Sequence, residues 1–219
     1  MEILSFDILP STQTYLIEKI EEGSLKIPVA VLTLEQNYGV GSRDNTWAGG
    51  KGNFFASIAV DMFMLPEDLP LSSASIYFSF IMKKILKEFN KDIWLKWPND
   101  FYINDDKIGG TITKKINNVL VCGIGINLKK SENGYRALQS DISPGKLLEK
   151  YLSELQKFPK WKQIFSEYEI EFELSRKFSV HIENYQNSPE KGCKMSLAHA
   201  CLCEDGSLIL GGKRVYSLR

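Results

Sequence analysis

Histidine and cysteine are scarce in this chain, with two and four residues among 219. His181 and His199 sit in short alternating segments near the C-terminus and read as structural. No Ser-His-Asp or Cys-His nucleophile system is therefore expected. Cys122, Cys193, Cys201 and Cys203 have neither the spacing nor the companion ligands of a zinc site or a disulfide framework. They read as structural thiols of a reducing compartment, and a cytoplasmic location is the expectation. Neither sign of charge is in excess, with 27 Lys+Arg against 27 Asp+Glu. Nucleic acid is thus not expected as a bulk partner. No apolar run reaches the ~18 residues of a membrane span. The start, "MEILSFDILP", lacks the basic opening and long apolar core of a signal peptide. Internal repeats and low-complexity segments are also lacking.

What is present suits a globular protein. Hydrophobic residues make up 43%, and the length allows one substantial core with a small appended domain. "STQTYLIEKIEEG" opens on hydroxyl caps and ends at Gly23, which predicts a short helix. "PVAVLTLEQ" and "FFASIAVDMF" predict buried strands. Between them, 37–53 holds five glycines and little periodicity, which predicts a long mobile loop. "PLSSASIYFSFIMKKILKEFN" predicts a core helix. "DIWLKW", "FYIN", "KIGGTITKK" and "NVLVCGIGINL" predict successive strands with tight turns, the pattern of an antiparallel sheet. Ser143 and Pro144 announce a helix, and "WKQIFSEYEIEFE" predicts another. Near the C-terminus the pattern becomes short alternating strands with glycine turns, which suits a small barrel.

The densest chemistry lies in "KWPND", 96–100, followed by "KIGG", 107–110. A turn needs only Pro98, Asn99 and Asp100. A hairpin here brings Asp100 and Lys107 together beside Gly109 and Gly110, which let a ligand approach the backbone. Lysine offers point charge to phosphate, and aspartate offers a hard oxygen to magnesium. In the glycine-rich stretch, Gly39 and Gly41 free backbone N–H groups for an anion, Arg43 and Lys51 add cations, and Trp47 offers a face for a base. "GIGINL", 123–128, follows a strand without opening a helix, so it does not read as a dinucleotide fingerprint. It suits a flat ligand lying on backbone, with Asn127 as a hydrogen-bonding end.

Taken with "STQ" at 11–13 and "EQNYGVGSRDNTW" at 35–47, these motifs resemble the biotin protein ligases, in family order and over nearly the whole chain. The resemblance implies an α+β fold: a mainly antiparallel sheet flanked by helices, like the catalytic domain of class II aminoacyl-tRNA synthetases, with a small C-terminal SH3-like β-barrel. It implies a catalytic domain over 1–174 and a barrel over 175–219. It further implies an enzyme that activates biotin with ATP and magnesium as biotinyl-5'-AMP and transfers it to a lysine of a biotin carboxyl carrier protein. The chain is expected to act as a monomer or weak homodimer without the DNA-binding domain that some members carry.

Residue by residue, the resemblance implies that Ser11, Thr12, Gln13 and Gln36 meet the ureido end of biotin. Gly39, Val40, Gly41 and Ser42 close over it. Lys107 bridges the biotin carboxylate and the phosphate. Arg43, Trp47, Lys96, Asn99, Asp100, Gly125 and Asn127 meet ATP, with Asp100 also the metal ligand and the candidate base of the transfer step. Lys107, Asp100 and Arg43 form the catalytic set. Two departures stand out. Val40 and Ser42 occupy positions where the family often has arginine, and "STQ" replaces the usual "STN". The alternatives are a lipoate–protein ligase of the same fold, or a biotin-binding regulatory module that does no chemistry.

Overall fold

The computed structural model describes residues 1–41, 46–129, 136–182 and 193–216. The chain opens with strand β1 (Glu2–Leu9), helix α1 (Thr12–Glu21) and strand β2 (Val29–Val40). β3 (Thr46–Gly49) and β4 (Phe54–Asp61) follow, then helix α2 (Ala74–Leu86). Four strands come next: β5 (Ile93–Lys96), β6 (Asp100–Ile103), β7 (Asp106–Ile116) and β8 (Val119–Ile126). Helices α3 (Pro144–Leu155) and α4 (Trp161–Phe172) lead to five short strands. These are β9 (Ser179–Ile182), β10 (Cys193–Ser196), β11 (Cys201–Leu202), β12 (Leu208–Leu210) and β13 (Lys213–Val215).

β1 to β8 form one sheet in the order β1-β2-β4-β8-β7-β6-β5, with β3 paired to β2. Its pairs are antiparallel except β1 with β2. A parallel pair needs a crossover, and α1 supplies it. The sheet is thus mixed, although mainly antiparallel as the sequence suggests. The initial strand escaped the sequence reading because it is an edge strand whose residues are mostly exposed or half-buried, so it carries no clean alternation. The predicted loop over 37–53 is also corrected. β2 runs through Val40 and β3 pairs back on it, so most of the described part is a hairpin.

One face of the sheet packs against α2, α3 and α4. Phe54, Ile58, Phe101, Ile108, Ile124 and Ile126 meet Phe80, Tyr151, Tyr168 and Phe172 in a single apolar cluster. The opposite face carries a smaller cluster in which Leu9, Leu16, Val29, Val31, Ala59 and Val121 pack beneath α1. Ser11 caps α1 by accepting from the Thr14 N–H at 3.3 Å. Ser143 caps α3, with Pro144 in its first turn, as the sequence indicates. α4 takes its cap from afar: Asp68 accepts the N–H groups of Trp161 and Lys162, each at 3.0 Å.

The C-terminal strands form a two-stranded sheet, β9–β10, and a three-stranded sheet, β11–β12–β13. Among the described residues these do not pair into a closed barrel. Nor do they have a core of their own: Val180, Leu197, Ala200, Leu208 and Leu210 join the main cluster. Trp97, fully buried, donates its indole N–H to the Gly206 carbonyl at 2.9 Å and its backbone N–H to Ser175 Oγ at 3.1 Å. Gly206 has φ +76°, and a Cβ there would run into Ser73, so glycine is required at this junction. The Trp97 of "KWPND" therefore ties the C-terminal segment to the sheet. Cys122, Cys201 and Cys203 are free thiols. No helix among the described residues is long and apolar enough to cross a membrane.

Candidate active site

The alternation of β8 builds the floor of a cavity. Leu120, Cys122, Ile124 and Ile126 point to the helix-covered core. On the other face Val121 joins the cluster under α1, and Gly123 and Gly125 come next. Gly110 of β7 lies directly opposite Gly125. Three missing side chains on one patch of sheet leave a hollow, and neighbouring groups fill its edges. A Cβ on Gly123 would overlap the side-chain oxygen of Gln13. One on Gly125 would sit 2.9 Å from Trp47 Nε1, and one on Gly110 would sit 3.3 Å from Asp100 Oδ1.

The cavity gathers Ser11, Thr12 and Gln13 from the start of α1, Gln36, Val40 and Gly41 from β2 and its end, and Trp47 from β3. Asn99, Asp100 and Lys107 come from the β5–β6 turn and the two strands that follow it. Gly125 completes the expected residues. Ser57, Gly110, Thr111, Ile112, Gly123 and Ile124 also line it. Of these six, Gly110 and the 123–124 stretch were expected to lie near a ligand, while Ser57, Thr111 and Ile112 were not assigned from sequence. Ser57 had a readable signal, a lone hydroxyl in the buried run "FFASIAV"; the rest join through the strand register. Gly39, Lys96 and Asn127 do not line the cavity. Gly39 lies against Gln36 and the backbone of Trp47. Asn127 donates its side-chain amide to the Arg136 carbonyl at 3.3 Å. Ser42 and Arg43 lie outside the described residues.

The two ends of the cavity differ in chemistry. At one end, Gln36 Oε1 accepts the Thr12 N–H at 2.9 Å and the Thr12 hydroxyl at 3.3 Å. The hydroxyls of Thr12 and Ser57 lie 2.8 Å apart. Beside this satisfied network the Gln13 side-chain oxygen is buried without a hydrogen-bond partner. Trp47 Nε1 is buried and unpartnered too. Buried polar atoms are ordinarily paired, so this acceptor and this donor, both on the lining of one hollow, offer hydrogen-bonding partners to a polar ligand.

At the other end Lys107 Nζ lies 2.5 Å from Asp100 Oδ1 and 5.7 Å from the centre of the Trp47 ring. Lys107 is the more accessible partner, its side chain 40% exposed against 20% for Asp100. Asn99 donates its side-chain amide to the Thr111 carbonyl and accepts the Thr111 N–H on its own carbonyl at 3.0 Å. That clasp fixes the turn bearing Asp100 onto β7. Burial, with the Asp100 charge adding to it, pushes the Tyr102 phenol up to about 12, so Tyr102 stays neutral beside the ion pair.

The site is thus a glycine-floored cavity between a cap of hydroxyls and amides and a Lys–Asp pair, on a mixed sheet backed by helices. A model of the biotin/lipoate A/B protein ligase family matches residues 5–131. That is more than half of the chain, which belongs to this family. The bifunctional ligase/repressor BirA of Escherichia coli K12 is 30% identical over 129 residues, covering 55% of this chain and 39% of BirA. The chain thus spans about two-fifths of that curated relative. A crystal structure of biotin acetyl coenzyme A carboxylase synthetase from Helicobacter pylori with bound biotinylated ATP is 38% identical. It covers 98% of this chain and 99% of the other, with a TM-score of 0.90. The biotin protein ligase of Aquifex aeolicus in complex with biotin and ATP shares the fold at 20% identity, with a TM-score of 0.74 over 100% and 96% of the two chains.

Proposed function

We propose that the chain is an ATP-dependent biotin–protein ligase that activates biotin as biotinyl-5'-AMP and transfers it to a lysine of a biotin carboxyl carrier protein. The observation that carries this reading is the polarity of the cavity. An unpartnered acceptor on Gln13 faces one end, and a Lys–Asp pair closes the other. Biotin has that polarity: ureido N–H donors, an apolar ring and chain, and a terminal carboxylate. Gln13 would accept from the ureido group, within the wall of Ser11, Thr12, Gln36 and Ser57. The backbone at Gly39, Val40 and Gly41, with Ser42, would close over the ligand.

Activation brings two anions together, with repulsion of ~4 kcal/mol at 4 Å in an effective dielectric near ~20. A carboxylate oxygen of biotin attacks the α-phosphorus of ATP, and the bond to the bridging oxygen breaks with departure of pyrophosphate. Lys107 would turn its ammonium toward the carboxylate and phosphate, with Arg43 as a second cation. Trp47, Gly125 and Asn127 would face the adenine side, and Asn99 would keep the Asp100 turn in register. Among the described residues, Asp100 is the acidic side chain that lines the cavity, and no group of three or more acidic, histidine or cysteine side chains forms a metal cage. That donor set fits magnesium carried mainly by nucleotide phosphates and water, with Asp100 as its protein ligand. When bound, the ion would add positive charge at the phosphates.

In the transfer step the acceptor amine attacks the acyl carbon, AMP leaves and an amide forms. A free lysine is mostly protonated at neutral pH, and Asp100 is the candidate to take its proton. Biotin-dependent exchange of labelled pyrophosphate into ATP is the test, with lipoate as control. Exchange with biotin alone is expected. Exchange with lipoate alone would select the sister chemistry, and exchange with neither acid would leave a binding module.

A further inference from the structure

Lys96 is set apart from the cavity yet joined to it. The antiparallel register of β5 and β6 pairs Lys96 directly with Asp100, so the two side chains share one face of the sheet. Lys96 Nζ lies 3.7 Å from Asp100 Oδ2, while Lys107 holds Oδ1 at 2.5 Å. The Asp100 carboxylate thus carries one lysine on each oxygen. The two lysines differ in freedom. Lys107 has a side chain 40% exposed and lines the cavity, whereas that of Lys96 is 11% exposed. Lys96 is walled by aromatic rings, with Tyr102 and Phe178 centred 5.7 and 5.8 Å from its ammonium.

The geometry points to Lys96 as a positioning residue for adenylate formation, acting through Asp100. This rests on the ligase reading above. In the free protein Lys107 is neutralised by Asp100. To meet an anionic substrate its ammonium must turn away from that carboxylate. Asp100 then loses its closest partner in the protein. Until magnesium carried by the nucleotide reaches it, a carboxylate in that position would pull Lys107 back, or swing away from the phosphates. Lys96 prevents both, because its charge is fixed from beneath by the strand register and the two rings. The weaker partner in the free state becomes the principal one during turnover, and Asp100 keeps its place while Lys107 changes partners. Phe178 belongs to the C-terminal segment, so that segment supports the first chemical step as well as the core.

The test is a double-mutant cycle read by pyrophosphate exchange, with thermal melting of each variant alongside. Lys96→Met should lower kcat for exchange by about 10- to 100-fold while KM for biotin changes less than about threefold, the size expected when charge support at a single position is lost. Lys96→Arg, which keeps the charge, should recover most of that loss. In an Asp100→Asn background, Lys96→Met should cause little further loss. Multiplying losses, or a deficit that tracks melting temperature and is not relieved by arginine, would make Lys96 a structural residue and overturn the proposal. Wild-type protein that exchanges with neither biotin nor lipoate would overturn the ligase reading and this proposal with it.

Discussion

The two faces of β7 and β8 are made by the same strands and do opposite work. Toward α2 and α3, Ile108, Ile124 and Ile126 are almost wholly buried and close-packed. Toward α1, Gly110, Gly123 and Gly125 leave a hollow whose rim holds unpartnered Gln13 and Trp47 atoms and the Lys107–Asp100 pair. A sheet held rigid from behind can keep an unfilled, polar patch in front, since the packed face supplies the stability that the open face gives up. Substitutions on the two faces should therefore separate cleanly into losses of activity and losses of stability.

The strongest test is Lys107→Ala. Its charge serves the reaction and its side chain is largely outside the core, so exchange should fall by about 10²- to 10³-fold with little change in melting temperature. Near-normal exchange by the alanine variant would remove Lys107 from the chemistry. On the packed face, Ile126→Ala should destabilise the fold by about 2–5 kcal/mol in denaturant titration, while the folded fraction binds biotin normally. A change in affinity without loss of stability would dissolve the distinction between the faces.

A smaller effect is expected from Gly123→Ala. The added Cβ would displace the Gln13 oxygen from its place over the floor. Loss of one directed hydrogen bond should weaken biotin binding by about tenfold in isothermal titration, with stability close to wild type. Unchanged affinity would mean that Gln13 does not meet the ligand.

The mildest expectation concerns acid, away from both faces. Burial acts to raise the Asp68 carboxyl, but the N–H groups of Lys162 and Trp161 outweigh it and hold it below its ordinary value. Asp205 is likewise held low against burial, by Ser207 and Arg214. A carboxyl depressed in the folded state binds fewer protons than in the unfolded chain. Its contribution is complete above the unfolded value near ~3.9 and is lost as pH falls through the folded value. Melting temperature should thus decline modestly below about pH 4, and Asp68→Asn should flatten part of that decline. An acid profile unaltered by Asp68→Asn would assign the decline to other groups.

Local signals in the sequence were enough for the elements whose causes are local. Ser11 and Ser143 cap their helices through side chains adjacent in sequence, and the strands β4 to β8 follow from apolar runs and turn residues. The motifs "STQ", "KWPND" and "KIGG" carried Ser11, Thr12, Gln13, Asn99, Asp100, Lys107 and Gly110 of the cavity, through the family resemblance they bear. What the tertiary structure alone decided depended on partners distant along the chain. The cap of α4 comes from Asp68, the C-terminal strands merge into the main core, and Trp97 serves as their anchor. Ser57 became a cavity residue only when β4 paired with β8 and set it opposite Gly123. Lys96 and Asn99 are close to Asp100 in sequence, yet the strand register turned one beneath the carboxylate and clasped the other to β7. Spacing along a chain specifies which residues can be neighbours; pairing and burial specify which face each one presents, and that choice separates a residue that meets a ligand from one that holds its neighbour in place.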